Sequence, residues 1–156
     1  MFFLTEQMKI VEAITPQAGG AITGDYISLK NAVKAWVVVH INQANAAVVA
    51  ITIEQATAVN GAGSTPITNV VPIWANEDCE TSDTLVRQTD AVGFTTSAAV
   101  KHKVVIFQVD PASLSLADGD CITVKTAASN AANITSAMYF IESRYQQETP
   151  PSAITN

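Results

Sequence analysis

From residue 35 to residue 57 the chain alternates with a period of two. In residues 35–42, Ala35, Val37, Val39 and Ile41 fall on one side of an extended strand, and Trp36, Val38, His40 and Asn42 on the other. Residues 47–57 repeat the device, with Ala47, Val49, Ile51 and Ile53 set against Val48, Ala50, Thr52 and Glu54. The first set of each strand reads as a core face. The polar linker Asn42-Gln43-Ala44-Asn45-Ala46 reads as a hairpin connection, which would make the two strands antiparallel neighbours.

The same signal recurs along the chain. Strands are expected over residues 25–30, 35–42, 47–57, 70–75, 84–89, 103–109, 121–127 and 137–143. Pro72 interrupts the fourth of these and marks it as an edge or bulged strand. Turn-rich stretches separate them, among them Asn60-Gly61-Ala62-Gly63 and the Asp118-Gly119 step. About eight short strands without a regular repeat predict an all-β domain, a β-sandwich of jelly-roll type, with a closed barrel as second choice. Two packed sheets bury alternating faces that a single sheet would leave wet.

The start of the chain follows a different pattern. Met8, Val11 and Ile14, with Ile10 beside them, are spaced for one or two helical turns before Pro16 and Gly19-Gly20. Residues 1–23 are therefore expected to form a short N-terminal arm, residues 24–145 the β-sandwich, and residues 146–156 a polar, proline-bearing tail that is extended or mobile. The apolar opening lacks a preceding basic region and carries Glu6 and Glu12, so it reads as mature sequence made in the cytosol.

Charge narrows the function classes. Only 14% of residues are charged, against roughly 25% in an average soluble protein. A surface so poor in charge is common where protein meets protein. The net charge is −6 and the basic residues are scattered, so no phosphate-tracking patch is expected and nucleic-acid binding is not predicted. The longest apolar run, residues 46–53, is too short to cross a bilayer as a helix. No membrane association is predicted.

The residues that carry chemistry are few. His40 and His102 are the only imidazoles, so a metal site would need distant partners, and neither a metal nor a cofactor is expected. His40 reads as a polar residue on a solvent or interface face, and His102, between Lys101 and Lys103, as a basic loop tip. No G-x-S-x-G elbow and no phosphate-binding glycine loop occurs, and the chain is not expected to be an enzyme. The acidic segment Glu77-Asp78-Cys79-Glu80 lacks calcium-loop spacing and reads as a solvated loop. Asn133-Ile134-Thr135 matches a glycosylation triplet that matters only in a secreted protein. Cys79 and Cys121 could pair only with Cα atoms within about 7 Å, and in a reducing compartment two thiols are expected. Trp36, Trp74 and Tyr139 raise a sugar-stacking platform as an alternative, although tryptophans of a β-sandwich more often anchor a core or an interface.

Five segments together resemble the head proteins of tailed bacteriophages, in particular capsid decoration or cement proteins. They are residues 24–31 (GDYISLKN), the strand through Trp36, residues 52–57 (TIEQAT), residues 104–110 (VVIFQVD) and residues 137–145 (AMYFIESRY). The resemblance implies a virion protein on the outer surface of an icosahedral head that bridges neighbouring major capsid subunits. It also implies a homo-oligomer, trimeric or else dimeric. On this reading the partner-binding residues are Phe2, Phe3, Leu4, Met8 and Ile10 of the arm, with Trp36 and Trp74. A carbohydrate-binding or host-adhesion module is the alternative.

Overall fold

The computed structural model describes residues 3–145 and 147–155. A single helical turn, α1 (Leu4–Gln7), leads into β1 (Met8–Ala18), β2 (Ile22–Thr23), β3 (Ile27–Ser28), β4 (Ala32–Asn42), β5 (Ala50–Ala56) and β6 (Thr65–Pro66). There follow β7 (Ile73–Asn76), β8 (Val86–Arg87), β9 (Gly93–Thr95), β10 (His102–Val109), β11 (Cys121–Thr126) and β12 (Ile134–Ser143). One antiparallel sheet has the order β1-β12-β4-β10-β7-β8. The other runs β2-β11-β5-β6, with β3 also on β11 and β9 also on β5.

The chain passes back and forth between the sheets: β1, β4, β10 and β12 lie in the first, β2, β3, β5, β9 and β11 in the second. A first-sheet block β1-β12-β4-β10 thus faces a second-sheet block of β2 and β3, β11, β5 and β9. This is the jelly-roll arrangement, and the expected sandwich is what the chain forms. Strands β7 and β8 widen the first sheet beyond that frame.

The alternation puts the inner side chains in the core. Ala35, Val37, Val39 and Ile41 of β4, and Val105, Phe107 and Val109 of β10, are buried against Ile51 and Ile53 of β5 and Ile122 and Val124 of β11. Tyr139 of β12 spans the gap between the sheets. Its hydroxyl donates to the Asp25 carbonyl (2.8 Å) and accepts from the Val124 N–H (3.1 Å), and burial holds its pKa well above the usual phenol range. It therefore belongs to the core rather than to a sugar platform.

Several expectations need correction. The helical spacing of residues 5–14 yields helix only over Leu4–Gln7, while Met8–Ala18 is a strand on the open edge of β12. Register shifts between Glu12 and Ile14, and again before Gln17, put the adjacent residues Ala13 and Ile14 both inside. A bulge of this kind breaks the period of two and leaves a pattern that imitates a helix. Residues 8–18 are thus built into the first sheet.

The 42–46 linker is not a hairpin. β4 and β5 lie in opposite sheets, and the linker crosses between them. Two strands with apolar inner faces look alike whether they pair edge to edge or stack face to face, so periodicity alone does not choose. Buried polar side chains hold the crossing. The Asn133 carbonyl oxygen accepts from the Asn45 N–H and its amide donates to the Ala47 carbonyl, both at 2.8 Å. Gln43 donates to the Ser97 carbonyl (2.8 Å) and accepts from the Thr96 hydroxyl (2.8 Å). Asn133 is fully enclosed, so it presents no glycosylation acceptor.

At the other end of the chain, the Ala153 carbonyl accepts from the Ser28 N–H (2.7 Å), and Pro150 and Ala153 are buried. These residues of the expected tail fold back onto the sandwich. Strand β7 begins directly after Pro72 and lies between β10 and β8, so it is not an edge.

Neither cysteine forms a disulfide. Burial pushes the Cys121 thiol up from its ordinary 9.0 to about 11, with the neighbouring Asp120 carboxylate adding to the rise. A raised folded-state value favours the neutral thiol. Its contribution to stability is therefore complete below pH 9 and is lost as pH rises from 9 through about 11. The unfolding free energy obtained from urea titrations should fall between pH 8 and pH 11 by an amount that includes about 2 kcal/mol from this group. Cys121→Ala should make that fall smaller by the same amount, and an unchanged pH slope would refute the assignment.

Candidate interaction surface

In β-structure a residue and its register partners point to the same side of the sheet, so pairing alone assembles the outer face of the first sheet. One row across all six strands reads Glu12, Met138, Val38, Ile106, Trp74 and Arg87. A neighbouring row reads Ile10, Phe140, Trp36 and Gln108. On the other side lie Ser136, His40, Val104 and Asn76.

The middle of this face is aliphatic and aromatic. Met138 is 43% exposed, while Val38, Ile106, Trp36, Trp74, Phe140 and Val104 are half-buried. Contiguous apolar side chains on an outer face make it the candidate interaction surface of this fold.

Cations frame the patch. The Lys34 ammonium lies 6.0 Å from the Trp36 ring centre, and the Arg87 guanidinium lies 4.7 Å from that of Trp74. Each tryptophan thus has a cation–π neighbour and is itself partly exposed. Arg87 also pairs with Asp90. The rings of His40 and His102 stack in parallel, with centres 6.4 Å apart, at the border of the patch.

The second sheet shows the opposite chemistry. The solvent-reaching part of its outer side carries Thr23, Thr52, Lys125 and Glu54, while Cys121, Ala56 and Thr123 of the same side are covered. Lys125 and Glu54 form an ion pair at 2.6 Å, and the Glu54 carboxylate also accepts from the Ser64 hydroxyl (2.5 Å). Partial burial pushes the Glu54 carboxyl up, but the bonds from Lys125 and Ser64 outweigh it and leave its pKa lowered. This face is suited to water, and the two sides of the sandwich are therefore unlike.

The residues singled out from sequence fall as follows. Trp36, Trp74 and Ile10 come together on the outer face of the first sheet, and Met8 lies on the same side opposite Glu142. Phe3 and Leu4, 61% and 56% exposed, precede β1 in and beside the helical turn. Phe2 lies outside the described residues. Sequence reasoning missed Val38, Val104, Ile106, Met138 and Phe140 as members of the face. The available signal was that residues 103–109 are apolar on both sides, which a strand with one solvated face would not be.

The other features support less chemistry. His102 and Lys103 open β10 rather than forming a loop tip, and the acidic loop is held there: Lys101 pairs with Asp78 (3.5 Å) and Glu80 (3.3 Å), and Lys103 lies 3.9 Å from Glu77. Lys103 is fully buried, its ammonium donating to the Ser97 carbonyl (2.6 Å), and burial lowers its pKa. Among the described residues no three His, Cys, Asp or Glu side chains gather as metal ligands. No helix among them is long and apolar enough to cross a membrane. A cleft of about 510 Å³ opens beside the returning tail, between Lys9, Lys30, Asp120 and Pro151, and its lining includes hydroxyls but no imidazole or thiol.

No protein-family model matches the sequence, and no curated protein matches it. The fold is similar to that in the crystal structure of the SPBc2 prophage-derived protein YomS, with a TM-score of 0.50 and 10% sequence identity. The match covers 86% of this chain and 93% of that one. At this identity the likeness concerns the fold.

Proposed function

We propose that this protein is a non-enzymatic structural component of a bacteriophage particle, lying on the outer surface of the head and bridging neighbouring major capsid subunits. The observation that carries the reading is the apolar outer face of the first sheet, opposite a polar second sheet. Such a face supplies contact area, which is what a cementing protein needs. The low share of charged residues fits, since fewer ions have to be desolvated at each seam. The fold shared with a prophage-derived protein is consistent with a phage origin.

Bridging requires more than one contact surface per unit. Phe3 and Leu4 offer a second apolar contact at the start of the chain. On a shell with many copies, modest contacts add through avidity. The carbohydrate-binding alternative is less well supported, because Tyr139 lies in the core and the two tryptophans sit among aliphatic side chains.

The test is to mix the purified protein with heads lacking it and to read copy number and disruption temperature together. Saturable binding with a raised disruption temperature is expected. Trp74→Ala should weaken binding by roughly 30-fold, the size of an interface anchor, while its circular dichroism stays native. Failure of the wild-type protein to bind any head would refute the reading, and glycan arrays would then test adhesion.

A further inference from the structure

The row across the first sheet has a chemical order. It begins with an acid at the β1 edge, Glu12, continues through Met138, Val38, Ile106 and Trp74, and ends with a base at the β8 edge, Arg87. Five inter-strand steps make it roughly 24 Å long.

A two-fold axis parallel to the strands, placed above the sheet between β4 and β10, reverses this row onto itself. Glu12 of each copy then faces Arg87 of the other, Met138 faces Trp74, and Val38 faces Ile106. Each of these pairings is favourable: an acid with a base, a thioether with an indole ring, and two branched aliphatics. In the neighbouring rows the same operation sets Trp36 opposite Gln108 and Ser136 opposite Asn76, and no like charges meet there. Self-complementarity of this kind is what a closed isologous contact demands.

We infer that the outer face of the first sheet is the interface of a two-fold homodimer in which the occupant is a second copy of this chain, its ends fixed by reciprocal Glu12–Arg87 pairs. Stacked sheets lie about 10 Å apart, and the side chains of Glu12 and Arg87 are together long enough to span that gap at the periphery. In the single chain Arg87 pairs with Asp90, so the dimer adds a second carboxylate to a guanidinium already held over Trp74. The inference deepens the bridging role and rests on it only for purpose: the apolar face supplies contact area between two copies, and the surface each copy leaves outside the dimer, Phe3 and Leu4 among it, meets a separate capsid subunit. Trp74→Ala then weakens head binding by breaking the two-point attachment of the dimer.

Self-association is measured on the purified full chain alone, by light scattering across a dilution series and by sedimentation. A mass twice that of the chain is expected. Glu12→Arg alone, and Arg87→Glu alone, should each weaken dimerisation at least 10-fold, and the double exchange E12R/R87E should dimerise at least threefold more tightly than either single exchange, since the reciprocal pair is rebuilt while the Asp90 and Trp74 contacts of Arg87 are not. Glu12 is exposed in the single chain, so its exchange leaves the fold intact, which circular dichroism verifies. A monomer, a trimer, or a dimer indifferent to both single exchanges overturns the inference. Head binding is scored separately. A monomer that still binds heads overturns the dimer and leaves the bridging role, whereas a dimer with the expected exchange pattern that binds no head does the reverse.

Discussion

Tyr139→Ala should lower the unfolding free energy by about 3–5 kcal/mol, enough to leave the protein largely unfolded at 37 °C if it has ordinary stability. The side chain is completely enclosed and fills the space between the two sheets. Truncation leaves a cavity that the flanking strands cannot close, because β12 is pinned on both sides by β1 and β4. Tyr139→Phe separates the volume from the hydroxyl. It should cost about 1–3 kcal/mol, since the Val124 N–H and the Asp25 carbonyl both lose their bond to that oxygen. Urea denaturation of the three proteins checks both values. Should the phenylalanine variant be as stable as the wild type, the hydroxyl does not tie the sheets together.

The second large effect is expected at Gly119, in the turn before β11. Its φ is +94°, and a Cβ there would stand 2.3 Å from the Ala56 carbonyl oxygen and 2.5 Å from the Thr57 Cα. Both obstacles are backbone at the end of β5, so relief requires moving a strand. Gly119→Ala should destabilise the fold by about 2–4 kcal/mol, combining a disfavoured backbone conformation with the clash. Gly20→Ala is the control. A Cβ there approaches nothing closer than the Ala18 carbonyl oxygen at 4.0 Å, and the change should stay within about 0.5 kcal/mol. Equal thermal midpoints for the two variants would show that the turn has room to spare.

These two positions differ in how visible they were. Asp118-Gly119 announces a turn in the sequence, and the structure adds only which backbone crowds it. Tyr139 was open to two readings, because a tyrosine at alternate positions of a strand belongs to one face or the other. Its place follows from the register of β12 on β4, where Tyr139 lies opposite the core residue Val37 and Phe140 opposite Trp36.

The same contrast runs through the molecule. Strands β4, β5 and β10 were legible, and so were the inner faces of β4 and β5, since local alternation reports which side of a strand is apolar. From that alternation came the all-β class, the sandwich and the jelly-roll type. The N-terminal strand was not legible, because its bulges erase the alternation that would have marked it. Nor was the separation of β4 from β5 into opposite sheets, for edge pairing and face stacking ask the same pattern of a strand.

The candidate surface belongs to this second category. Trp36 and Trp74 drew attention as aromatic residues, but their sequence separation concealed that only β10 lies between their strands. An outer face is a product of strand order, and strand order depends on contacts between residues far apart in the chain. Period-two patterning is a local property of the backbone and survives in the sequence as written. The union of Glu12, Met138, Val38, Ile106, Trp74 and Arg87 into one row exists only after six strands have found their register.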